Sequence, residues 1–134
     1  MRQLTYVSSI APGAFIDLAT ILAVSRRNNA RDGLSGLLLF DGKRFLQTLE
    51  GEAVAVDQTF RRIGQDPRHR AVVILADRNV ETPQFGHWAM ASEEVGDAGR
   101  GALIARIDGL TEGVTDRNMR AQFRSFVRVV RKAA

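Results

Sequence analysis

The chain contains no cysteine, which removes a disulfide framework, a zinc-thiolate site and a thiol nucleophile together and points to a reducing compartment. No apolar run approaches the roughly 18–20 residues of a membrane span, and the N-terminus lacks the basic, apolar and small-residue sections of a signal peptide. A cytoplasmic protein without membrane contact is the expectation. Histidine is scarce: His69 and His87 lie on opposite sides of a strand segment. No His-Glu-x-x-His, Gly-x-Gly-x-x-Gly or Walker-type loop occurs, so metal and Ser-His-Asp chemistry are set aside and no metal ligand is assigned. Residues 1–96 show no excess of either charge, with 11 basic and 11 acidic side chains, whereas residues 97–134 hold 8 and 4. The net charge of +4 is therefore C-terminal.

What is present fits one domain, since 134 residues with 45% hydrophobic content suffice for one core. Residues 3–9 alternate as a strand that Ala11-Pro12-Gly13 breaks. Residues 14–28 carry Phe15, Leu18, Ile21, Leu22 and Ser25 at helical spacing, and Asn28-Asn29 ends that helix. Leu34 to Phe40 is nearly all apolar, Asp41-Gly42 is a hairpin turn, and residues 44–50 return as the partner strand. Glu52 to Gln65 reads as a second helix through Val54, Val56, Phe60 and Ile63, closed by Asp66-Pro67 because the residue before proline is biased out of the helical region. Val72 to Ala76 is a further strand, residues 86–92 a weaker one after Thr82-Pro83, and residues 97–99 a linker. Two helices are expected near 100–108 and 116–131.

The order β-α-β-β-α-β predicts an α+β fold, a ferredoxin-like mixed sheet with two helices on one face. Leu37, Leu38 and Leu39 put apolar groups on both sides of the sheet, so the C-terminal helices, or a second copy of the chain, are expected to cover the other face. In the last helix Arg117, Arg120, Arg124, Arg128 and Arg131 fall on one side, and Met119, Phe123, Phe126, Val127 and Val130 on another. A solvated face is favoured there over a nucleic-acid surface.

Phe45, Gln47 and Leu49 share one face of a strand, which aims the Gln47 amide into the packed side, where leaving it unpaired would cost about 1–3 kcal/mol. The Tyr6 phenol and the Asn28 and Asn29 amides are candidate partners in a polar pocket. Residue by residue, alternatives stay open. Gln47 satisfies sheet backbone or lines a pocket, and Tyr6 is a plain core residue or its partner. Asn28-Asn29 is a helix cap or a pair of pocket amides. Asp66-Pro67-Arg68-His69 is a polar turn or holds a phosphate or ring carbonyl, and Trp88 with Met90 is core or a functional pair.

Taken together, the segments Leu4-Thr5-Tyr6-Val7-Ser8, Ser25 through Gly36, Phe45-Leu46-Gln47-Thr48-Leu49-Glu50-Gly51, Asp66-Pro67-Arg68-His69 and Trp88-Ala89-Met90 resemble the BLUF domain, the blue-light sensor that uses FAD. The resemblance covers residues 2–95. It implies a flavin domain over 1–96, with the isoalloxazine between the two helices, and a helical cap over 97–134 without a separate output domain. It implies that Tyr6 donates an electron and a proton and that Gln47 links the phenol to flavin N5 and O4. Gln47 then relaxes in a rotated or tautomeric form that red-shifts absorption. Asn29 would hold the N3–H and O4 edge with Asn28 and Ser25 nearby, and Ile21 and Ile63 would pack the ring faces beside Phe45. Arg62, Asp66, Arg68 and His69 would lie toward O2 and the ribityl-phosphate side, and Trp88 and Met90 would signal from the fifth strand. FAD is the implied cofactor, with FMN and riboflavin open. The implied protein is not an enzyme; it signals to a downstream protein partner or through a change in a homo-oligomer, most simply a dimer. Two other readings fare worse. An acyl-phosphate hydrolase needs an arginine in the loop after the first strand, where Ala11-Pro12-Gly13 has none. An RNA-recognition module needs exposed aromatics on the central strands.

Overall fold

The computed structural model describes residues 1–15, 17–85, 91–94, 108, 109, 111, 112, 114 and 116–133. Its elements are β1 (Arg2–Ile10), α1 (Leu18–Asp32), β2 (Ser35–Phe40), β3 (Arg44–Gly51), α2 (Ala53–Gln65), β4 (His69–Asn79), β5 (Ala91–Glu94) and α3 (Arg117–Ala133). The strands lie in the order β4-β1-β3-β2-β5. The four strands β1 to β4 pair antiparallel, as the ferredoxin-like order requires, and β5 joins β2 in parallel. Among the described residues, no helix is long and apolar enough to cross a membrane.

The expected helix over 14–28 is displaced. Asp17 caps α1 by accepting the backbone N–H and the hydroxyl of Thr20, so the helix starts at Leu18 and Phe15 is left outside it, 84% exposed. Asn28-Asn29 does not end the helix. The stop is Gly33, whose φ of 71° is the left-handed conformation of a helix terminus, with its N–H bonded to the Asn29 carbonyl. α2 follows the expected range and ends at Asp66, in extended geometry ahead of Pro67. Val54, expected on its apolar face, points outward; the inner face is Val56, Thr59, Phe60 and Ile63 at steps of three and four.

The hairpin forms as expected, with Asp41 Oδ1 accepting the N–H groups of Lys43 and Arg44. β4 runs longer than the apolar Val72 to Ala76 segment. It is an edge strand, so Val73, Ile74 and Leu75 remain about half exposed. Register shifts opposite Thr5/Tyr6 and Val7/Ser9 interrupt its pairing with β1, and Ala71 takes a φ of 51° at the second. Of the expected strand at 86–92 the described part belongs to β5, while residues 86–90, the linker at 97–99 and nearly all of the helix at 100–108 lie outside the described residues.

Two cores flank the sheet. Leu4, Leu22, Leu34, Leu38, Phe40, Phe45, Leu49 and Val56 pack on the side of α1 and α2. Leu37, Leu39, Leu46 and Phe85 pack on the other side against Met119, Phe123 and Phe126 of α3. The second face is therefore covered by α3, whose outer face carries Arg117 and Arg124, the latter paired with Asp108 at 2.7 Å. Val127, Arg128, Val130 and Arg131 have side chains outside the described set.

Candidate functional site

Antiparallel pairing of β1 with β3 sets Tyr6 directly opposite Gln47, and pairing of β2 with β3 sets Leu38 on its other side. Alternation then points Tyr6, Gln47 and Leu38 to the face under α1 and α2. The Tyr6 hydroxyl donates a hydrogen bond to Gln47 Oε1, and both residues are buried, at 1% and 5% exposure. Burial, together with the negative charge of Asp66, pushes the Tyr6 phenol well above the ordinary tyrosine value. Its proton stays in place at neutral pH, so Tyr6 is a fixed donor.

Above this pair a cleft opens between the two helices, with about 750 Å³ of free space when its solvent-filled mouth is included. Ile21, Val24, Ser25, Asn28 and Asn29 line it from α1, and Thr59, Arg62 and Ile63 from α2. Phe45 lies at the floor, stacked on Phe40 and tilted against His69 with centroids 4.6 and 4.9 Å apart. Arg62 donates to Thr59 and bridges to Asp32 at the end of α1, tying the two helices together.

The turn between α2 and β4 closes one end. Arg68 grips Asp66 through Nε and Nη2 at 3.0 and 2.6 Å, which holds the Asp66 carboxyl below the usual carboxylate range. His69 Nδ1 lies 2.8 Å from the Ser8 hydroxyl on β1. Burial lowers the His69 pKa from 6.5, Asp66 opposing the shift and Arg68 adding to it. A base held below its unfolded value leaves the unfolded chain binding more protons in that window, so stability is full above 6.5 and falls as pH drops through it. The thermal midpoint is expected to decline on acidification below 6.5, and His69→Gln is expected to flatten that decline. A midpoint in the wild type that does not respond there would contradict it.

All twelve residues the sequence proposes for a cofactor pocket, Tyr6, Ile21, Ser25, Asn28, Asn29, Phe45, Gln47, Arg62, Ile63, Asp66, Arg68 and His69, line this cleft. Three were missed. Val24 lies one turn from Ile21, Leu38 is the register partner of Gln47, and Thr59 is one turn before Ile63, so spacing alone marked each of them. Trp88 and Met90, proposed for signalling, and His87 lie outside the described residues.

The sequence that builds this buried phenol and glutamine amide, beneath two helices with isoleucines and asparagine amides, falls within a match to one family. The profile of BLUF, described as sensors of blue light using FAD, covers residues 1–91. The chain belongs to the BLUF family. BLUF domains are flavin-binding sensor modules, not enzymes. Photoactivated adenylate cyclase subunit beta of Euglena gracilis is 43% identical to this BLUF chain over 76 residues, which are 56% of this chain and 9% of that one. The structure of Klebsiella pneumoniae BlrP1 with FMN and cyclic diGMP superposes with a TM-score of 0.81 at 32% identity, covering 95% of this chain and 35% of that one. The dark-state structure of BlrB, a BLUF protein, superposes at 0.70 and 28% identity, covering 99% and 96%. The chain spans about a tenth of the curated relative's length.

Proposed function

We propose that this BLUF protein is a blue-light photoreceptor that binds FAD non-covalently between α1 and α2, with Tyr6 and Gln47 as the photoactive pair. The observation that carries the reading is the buried hydrogen bond from Tyr6 to Gln47 Oε1 at the floor of the cleft. The donor set fits a neutral flavin ring, whose N3–H donates and whose O4 and N5 accept. Asn28, Asn29 and Gln47 meet those groups with amides, adding no charge, and Ile21 with Ile63 supplies apolar walls from opposite helices. Arg68 and His69 serve the O2 and ribityl side, as Arg62 and Asp66 do. The family's description supports FAD, and the BlrP1 structure, which carries FMN, keeps FMN as the alternative.

A flavin held in this cleft would supply oxidising power on excitation by blue light. Tyr6 would be the electron and proton donor, its Oη proton already directed at Gln47 Oε1, and the Gln47 amide would be the group whose hydrogen bonds exchange, by rotation or tautomerisation. Burial of the pair excludes water that would otherwise compete for the proton. The fifth strand carries the change onward to a downstream protein or to a homodimer, with Trp88 and Met90, which precede Ala91 in the sequence, as the signalling residues. The RNA-platform reading loses its basis, because Tyr6 and Phe45 are buried under α1 and α2 and no aromatic of the central strands is exposed among the described residues.

A visible absorption spectrum in the dark and after blue light tests this reading. A flavin spectrum that moves slightly to the red and recovers in the dark is expected. A colourless protein that FAD does not reconstitute would remove it.

A further inference from the structure

Three residues beyond Gln47 on β3, and on the opposite face, stands Glu50, the only fully buried charged side chain among the described residues. Its carboxylate accepts four hydrogen bonds, two at each oxygen. Oε1 takes the Ser35 hydroxyl at 2.9 Å and the Phe85 N–H at 2.8 Å. Oε2 takes the Gln3 side-chain amide and the Gln84 N–H, each at 3.0 Å. A carboxylate offers about four acceptor positions, so this one is saturated. A glutamine in its place would set an NH₂ group against two donors. Only an acceptor at both oxygens fits.

From Glu50 two arms reach α3. The polar arm runs from Gln3, whose Oε1 accepts from Arg78 Nε at 3.0 Å, to the ion pair of Arg78 with Asp116. Asp116 is the N-cap of α3, accepting the N–H of Asn118 at 2.8 Å and of Met119 at 3.3 Å. The apolar arm is Phe85, buried and set edge-on to Phe123 of α3 with centroids 5.9 Å apart.

We propose that Glu50 is a positioning residue of the light switch, fixing segment 84–85 and the N-terminus of α3 to the strand that carries Gln47, so that displacement of β3 reaches α3 through Arg78 and Asp116 without passing through β5. The inference rests on the photoreceptor reading above. Every residue of β3 from Phe45 to Gly51 is buried, and a strand packed on both faces cannot absorb a shift locally. The ladder that sets Tyr6 against Gln47 also sets Gln3 against Glu50, which links the photoactive pair to the head of the polar arm within two strands.

The test is hydrogen exchange of the full-length, FAD-loaded protein in the dark and under blue light, read over residues 117–126, with the visible red shift recorded on the same samples. Asp116→Asn keeps a good helix cap but loses its charge toward Arg78, and Arg78→Gln breaks the same bridge from the other side. In both, the red shift is expected to persist while the light-minus-dark exchange difference at Asn118 and Met119 is lost. Glu50→Gln is expected to lose the difference as far as Phe123. Because that variant also disturbs buried bonds, the two bridge variants decide the matter. An exchange difference equal to wild type in both, or a wild type that shifts to the red with no exchange difference over 117–126, overturns the inference and leaves the photoreceptor reading standing. A wild type with no red shift overturns that reading instead.

Discussion

Gln47→Leu is expected to give a yellow, flavin-loaded protein whose absorption no longer shifts under blue light. Leucine keeps an apolar side chain in this packed position and removes both the acceptor for Tyr6 and every hydrogen bond that illumination would rearrange. Colour should survive, because Asn28, Asn29, Ile21, Ile63 and Arg68 line the cleft independently of position 47. The loss of the shift should therefore be complete, not partial. The substitution also strands the Tyr6 hydroxyl in a site with 1% exposure, and a buried donor left unpaired costs about 1–3 kcal/mol, so the thermal midpoint should fall as well. Tyr6→Phe separates the two effects. It also abolishes the switch by removing the electron and proton donor, but it leaves the amide in place. Visible difference spectra of the two variants beside wild type make the measurement. A reversible red shift in Gln47→Leu would mean that the amide is not the switching element.

The largest effect on stability is expected at Gly36→Ala. A Cβ at this position on β2 would lie 1.9 Å from the backbone carbonyl oxygen of Thr48 and 3.0 Å from its carbon. Those atoms belong to β3, so no side-chain rotation relieves the overlap and the two strands must separate. Overpacking a core typically costs about 1–3 kcal/mol, and a clash with main chain belongs at or above the top of that range. The damage is not confined to the end of the hairpin. Leu38 faces Gln47 two residues along the same ladder, so the variant should also weaken flavin retention. Chemical denaturation against wild type, with the flavin spectrum followed through the transition, checks both parts. A midpoint within error of wild type would show that β2 and β3 tolerate wider spacing.

The hairpin was legible because Asp41-Gly42 is an unambiguous turn with apolar runs on both sides, and the end of α2 because a residue before proline leaves the helix. The start of α1 was not. Phe15 extended the apparent apolar face, while the decisive signal was the single capping side chain of Asp17. Asn28-Asn29 looked like punctuation, yet glycine at position 33 ends the helix and leaves Asn29 in its last turn, 2% exposed and lining the cleft. The polar members of the site could be seen because each buried amide or hydroxyl needs a partner, whereas the apolar Val24 and Leu38 carry only the mark of spacing, and the Thr59 hydroxyl was hidden within an otherwise apolar helix face. Glu50 escaped because a carboxylate in sequence reads as solvated. Its burial depends on donors from Gln3, Ser35, Gln84 and Phe85, which the sequence scatters over more than 80 positions.

Neighbouring leucines of β2 belong to different cores: Leu37 and Leu39 pack with α3, Leu38 with the cleft, and the two clusters have no side chain in common. Such a partition lets selection rebuild one side of the sheet without retuning the other. Substitutions among Met119, Phe123 and Phe126 should alter how the protein answers while its colour is kept, and the same sensing half can be inherited by chains with unrelated outputs. In the laboratory it makes α3 a graftable part: a foreign helix needs an apolar stripe for Leu37, Leu39 and Phe85, and an acceptor for Arg78 at its first turn.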